Sequence, residues 1–66
     1  MNLTFLGKIS ENGQSPTLYA TDRDTFVIQG WRVVDTEALA ALDLPDHETV
    51  TDVPKALMRF LPAAAD

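Results

Sequence analysis

One uninterrupted stretch, Thr17 to Asp35 (TLYATDRDTFVIQGWRVVD), constrains this chain more than any other. It reads as a strand, a tight turn and a second long strand. It holds the only Tyr, the only Trp and the Phe26-Val27-Ile28 run, so it is the expected centre of the fold. It contains no nucleophile beside a base, no cluster of metal ligands and no phosphate-cradling loop. The segment therefore points to a scaffold rather than to a reaction.

The flanks complete an α+β pattern. Leu3–Ile9 is a short β-compatible apolar run broken by Gly7. Ser10–Pro16 is dense in turn formers, with Asn12-Gly13 the strongest turn dipeptide. Strands are expected at about Leu3–Ile9, Thr17–Thr21 and Thr25–Val34, with Asp22-Arg23-Asp24 as the second turn. Gly30 marks a bulge or a close approach. Phe26 and Ile28 should share one face. Asp35 is placed to cap a helix over Thr36–Asp43, with Glu37 in its first turn, where it favours the helix dipole, and Leu39 and Leu42 on its buried side. Pro45 disfavours helical geometry at Leu44 and ends it. His47–Thr51 reads as a possible short edge strand.

Val53, Ala56, Leu57, Phe60 and Leu61 follow i, i+3, i+4, i+7, i+8 spacing, which predicts an amphipathic α-helix capped by Asp52 and stopped by Pro62. The expected architecture is a small antiparallel sheet of three or four strands with two short helices packed on one face, a single domain over 1–62, and a frayed tail at 63–66.

Size sharpens the reading. A chain of 66 residues without cysteine has neither disulfides nor thiolate zinc sites to support a small core. Self-association, most simply as a homodimer, is the expected support. No apolar run approaches the roughly 18 residues of a membrane span, and MNLTFLGKIS lacks the basic and apolar regions of a signal peptide, so the cytoplasm is the expected compartment.

Charge is segregated. The net charge is -5. Lys8, Arg23 and Arg32 balance Glu11, Asp22 and Asp24 in the first half, so the second half carries the whole excess. Asp35, Glu37, Asp43, Asp46 and Glu48 lie in a segment without Lys or Arg. They are either plain solvated surface or a docking face for a basic protein partner.

Isolated features resolve to bland readings. Asp46-His47-Glu48 are sequence neighbours that point in different directions and rarely share one ligand. Asp22-Arg23-Asp24 is a polar turn. Ser10 and Ser15 have no activating base. Tyr19, Phe26 and Trp31 are expected in the core of a chain with so few aromatic side chains, and Trp31 and Phe60 are expected to be structural. The two C-terminal helices lack the short turn of a helix-turn-helix. No cofactor or metal follows from any of these residues, and the chain reads as non-enzymatic.

TLYATDRDTFVIQGWRVVD and LPDHETVTDVPKALMRFL together resemble short uncharacterised actinobacterial proteins of Streptomyces type, often encoded beside helix-turn-helix regulators. The resemblance spans about Ser15 to Leu61 and brings no catalytic residue with it. It implies a regulatory partner role, such as accessory to or antagonist of a DNA-binding regulator. A structural homo-oligomer is the alternative, and a small enzyme the least favoured.

Lys8, Arg23, Arg32, Lys55 and Arg59 are the only Lys and Arg residues, and they form no basic stripe. Duplex DNA should therefore not bind directly, because phosphate contact needs clustered positive charge. Fluorescence anisotropy at low salt is expected to stay flat up to about millimolar protein, beyond non-specific affinities of roughly 10⁻⁴ to 10⁻⁶ M. Micromolar binding by the isolated chain would overturn this.

Overall fold

The computed structural model describes residues 1–63. The proposed tail at 63–66 therefore lies, from 64 onward, outside the described residues. The fold is α+β. Strands β1 (Leu3–Lys8), β2 (Thr17–Thr21) and β3 (Phe26–Gln29) form an antiparallel meander in the order β1-β2-β3. Strands β4 (Trp31–Arg32) and β5 (Thr51–Asp52) form a separate two-stranded ribbon. Helix α1 spans Thr36–Leu42, and a 3₁₀ helix spans Lys55–Phe60.

Local chemistry sets both turns of the meander. Asn12 and Gly13 adopt positive φ of 51° and 77° at the tip of the first connection. This is the backbone that an Asn-Gly pair tolerates and other residues resist. Glu11 and Gln14 close the tip with a 2.8 Å bond from the Gln14 N–H to the Glu11 carbonyl. The second turn is the Asp22-Arg23-Asp24 loop, with Asp24 left-handed at φ 60°. The Thr21 hydroxyl accepts from the Arg23 and Thr25 N–H groups at 3.0 and 3.3 Å.

The register decides which side chains share a face. Leu18 pairs with Gly7 and Ile28, and Ala20 with Thr4 and Phe26. Cross-strand partners lie on one side, so Phe26 and Ile28 do share a face with Leu18. Tyr19 pairs with Phe5 and Val27 on the opposite side. A register shift between Phe5 and Gly7 leaves Leu6 as the extra residue of a bulge.

The 3₁₀ helix packs on β1 and β2. A Cβ built on Gly7 would fall inside the Phe60 ring, so the ring fills the space that a side chain at position 7 would need. Beneath this contact lie Leu18 and Leu57, both 0% exposed, the only fully buried large side chains among the described residues.

Several expectations change. The amphipathic helix is 3₁₀ rather than α, because only six residues lie between Pro54 and the extended Leu61 that precedes Pro62. At three residues per turn, Pro54, Leu57 and Phe60 stack on one side, while Ala56 and Leu61 turn to solvent. Asp52 does not cap this helix; Pro54 occupies the N-cap position without a side-chain bond, and Asp52 belongs to β5.

The long strand Thr25–Val34 is cut at Gly30 into β3 and β4, which belong to different sheets. A Cβ at Gly30 would meet the Asp52 carbonyl oxygen at 2.6 Å and the Thr51 and Val53 side chains, so Gly30 is a close approach and not a bulge within one strand. The edge strand expected at His47–Thr51 forms only from Thr51, because Asp46-His47 make a turn closed by the Glu48 N–H to the Pro45 carbonyl at 3.0 Å.

Helix α1 buries none of its residues. Leu39 is half-buried and Leu42 exposed, since no layer covers their side. Of the three aromatic residues expected in the core, Phe26 is 48% and Trp31 38% exposed and Tyr19 is half-buried, so none is fully buried.

Gly7→Ala should destabilise the chain by about 1–3 kcal/mol through overpacking against Phe60. Urea denaturation should show a clearly smaller cost in a Phe60→Leu background, because neighbouring sites couple. An equal cost in both backgrounds would mean that the ring is not the neighbour that matters.

Candidate functional site

Three surfaces stand out once the chain is folded. The acidic segment is the one expected from sequence. Asp35 accepts from the Ala38 N–H through Oδ1 at 3.0 Å and caps α1. Its carboxylate is thus committed to the helix. Glu37 sits in the first turn of α1. Asp43 closes the helix in a left-handed conformation, φ 50° and ψ 58°. Asp46 and Glu48 follow in and beyond the Pro45–Glu48 turn.

All five are exposed. They do not gather at one point. Asp35 and Asp43 cap opposite ends of α1, about 12 Å apart along its axis at 1.5 Å per residue. Among the described residues the only close contact between a basic and an acidic side chain is His47 Nε2 to Glu48 Oε2 at 3.8 Å, with both side chains largely in solvent. No three His, Cys, Asp or Glu side chains among the described residues are arranged to hold a metal ion. The arrangement can attract positive charge over a distance, and it offers no template for acid–base or metal chemistry.

The second surface was not legible in the sequence. Trp31 on β4 donates its indole N–H to the Gln14 side-chain carbonyl. Gln29 Nε2 donates to the Ser15 carbonyl oxygen at 3.0 Å and lies 3.2 Å from its Oγ, tying β3 to the same loop. Two shallow concavities flank the indole. One of about 220 Å³ is walled by Ile9, Pro16, Trp31 and Pro54, and one of about 110 Å³ by Ser15, Gln29 and Gly30. Both fall below the roughly 300 Å³ of the smallest usual ligand pockets, and suit a single side chain of a partner better than a cofactor. These residues meet only because the chain crosses β5 at Gly30. The sequence signal was the Gly30-Trp31 pair itself.

The third surface is the uncovered side of the meander. Phe5 and Tyr19 meet edge-to-face at 6.3 Å and 75°. Phe5 is 60% and Leu3 51% exposed, with Val27 beside them half-buried. Among the described residues no helix is long and apolar enough to cross a membrane.

The acidic residues separate by role in a direct test. Replacing Asp43 and Asp46 by Asn and Glu48 by Gln should leave stability within about 0.5 kcal/mol, because the groups are exposed and Asn tolerates the left-handed cap. Asp35→Ala removes the cap bond, a cost of about 0.5–2 kcal/mol to α1. Since α1 buries no residue, the loss should appear as reduced helical circular dichroism with little change in the global melt. A matching drop in melting temperature would show α1 to be part of the cooperative core.

Compared with known protein families, with curated proteins and with solved structures, the chain gives no match.

Proposed function

We propose that the chain is a non-enzymatic protein-binding module that completes its small core against another protein chain. One observation carries this reading. Among the described residues ten large hydrophobic side chains are exposed, Phe5, Phe26, Ile28, Trp31 and Val34 included, while only Leu18 and Leu57 are buried hydrophobic residues. They fall on more than one surface: Leu3 and Phe5 are neighbours on one side of the meander, and Phe26 and Ile28 are neighbours on the other. Single exposed apolar residues are ordinary, but neighbouring ones such as these mark contact surfaces.

Area gives the scale. The chain exposes 5465 Å². A compact monomer of its mass would expose about 4,100 Å². The radius of gyration, 13.5 Å, likewise exceeds the about 11 Å of a compact domain of this length. The surplus is about 1,400 Å², more than the roughly 800 Å² per partner that a standard interface removes from water.

The acidic segment supports a second element of the same reading. Asp43, Asp46 and Glu48 are free of Lys and Arg partners among the described residues, so they can select a partner of basic character and speed its approach. The DNA-contacting face of a regulator has that character. Together with the resemblance to proteins encoded beside such regulators, this makes an accessory or antagonist of a DNA-binding regulator the first partner to test. A role in assembly alone, as a structural homo-oligomer, is favoured by the apolar sheet.

The test is the size of the tagged chain in extracts of the cells that make it, compared with the pure protein. It should elute well above 7.2 kDa in the extract. Where the partner is basic, the Asp43→Asn, Asp46→Asn, Glu48→Gln variant should shift toward the unbound position more at low salt than at high salt. Elution at the monomer position in extract and in pure form alike would overturn the reading.

A further inference from the structure

We infer that the uncovered face of the β1–β2–β3 sheet docks on the same face of a second copy of the chain, about a two-fold axis near Tyr19. This names the partner for the binding-module reading and rests on it.

The face is defined by register. Leu3 pairs with Thr21, Phe5 with Tyr19 and Val27, and Lys8 with Thr17 and Gln29. The other side already carries the 3₁₀ helix, with Phe60 on Gly7 over β1 and β2, and is open only along β3, where Phe26 and Ile28 are 48% and 40% exposed. A sheet needs a layer on each apolar face, and this one has a layer on one face only. Tyr19 is the middle residue of the central strand, flanked by Phe5 and Val27. An isologous contact therefore places aromatic side chains at its centre, where binding energy concentrates.

Charge selects a second copy. The chain is acidic overall, but residues 1–33 sum to zero and the whole -5 lies beyond them. Two copies can meet on the sheet without apposing carboxylates, whereas contact through α1 would set Glu37 and Asp43 against their own kind. Lys8 is the only charged side chain in the paired rows of this face. It stands at one end of the meander, and the Asp22-Arg23-Asp24 turn stands at the other. A two-fold axis across the strands brings Lys8 of each copy to the Asp22 and Asp24 end of its partner, so the same complementary contact forms twice.

Edge pairing is the less suitable route. The bulge at Leu6 distorts the β1 edge, and β3 is four residues long. Both features blunt strand addition. Stacking face to face, with sheets about 10 Å apart, uses the surface that is left. One interface of ordinary size would remove most of the surplus area noted above.

Sedimentation velocity on the pure chain tests the inference. The wild type should pass from 7.2 kDa to twice that mass as concentration rises through the micromolar range. Phe5→Asp, at an exposed position, should raise the dissociation constant at least about tenfold with unchanged far-UV circular dichroism. Lys8→Glu, which leaves the apolar face intact, should weaken the dimer as well, and the difference from wild type should shrink in high salt. A dimer indifferent to both substitutions would overturn the assigned face. A single 7.2 kDa species throughout would overturn the second copy as partner. If the extract still held a larger complex, the binding-module reading would stand with a different protein on the sheet. If it did not, both would fall.

Discussion

The Phe60 ring on Gly7 is the contact on which the rest of the fold depends. It anchors the 3₁₀ helix to the first strand, and that helix supplies the one layer shown packed on the sheet. The bulge at Leu6 is part of the same device. Without the register shift, the residue facing Leu18 would be Leu6, whose side chain would occupy the place of the ring. The shift puts Gly7 there instead and lets the helix approach closely enough to bury Leu18 and Leu57 completely. Arg59 lies over the outer side of the same ring at 4.9 Å, adding a weak cation–π contact of about 0.5–1 kcal/mol.

That core is small. Each fully buried Leu contributes about 1.5–3 kcal/mol, and only two large side chains among the described residues reach that state. Turn chemistry supplies the rest of the local order. The Asn12-Gly13 tip, the Thr21–Thr25 hydroxyl network and the Asp35 cap each satisfy backbone groups without help from the interior. A meander held by its turns and one helix has an outer face that needs no further layer to form, yet gains from one. The exposed Phe5 and Leu3 side chains and the half-buried Tyr19 between them and β3 follow from this economy of structure, and so does the reading of the chain as a module finished by association.

Gly30 is the second hinge point of the architecture. Its missing side chain lets the Thr51–Val53 segment cross against the backbone, which separates the ribbon from the meander and turns Trp31 outward toward Gln14. The acidic α1 then lies between β4 and β5 in the chain, as an excursion from the ribbon and not as a layer of the sheet. The sheet face around Phe5 and the acidic α1 thus belong to different elements, although the exposed Val34 and Leu42 adjoin Asp35 and Asp43. One can meet a like copy while the other attracts positive charge.

The elements governed by neighbouring residues were legible in advance. Asn12-Gly13, Asp22-Arg23-Asp24, the Asp35 cap, the first two strands and the start of the third depend on local backbone preference and period-two patterning, and they stand where those rules put them. The acidic residues were legible as exposed, but not as two groups held apart by α1. What failed was set by non-local contact. The i, i+3, i+4 pattern of Val53–Leu61 fits an α-helix equally well until two prolines and the Gly7 contact leave room only for 3₁₀ geometry. Trp31 looked like core because large aromatics usually are, and only the crossing at Gly30 sends it to the surface. The sequence by itself determined the turns, the strand order and the charge division, because each is encoded within a few residues. Tertiary structure alone decided which sheet face is covered and which is open, since that choice rests on Gly7 and Phe60, fifty-three positions apart in the chain.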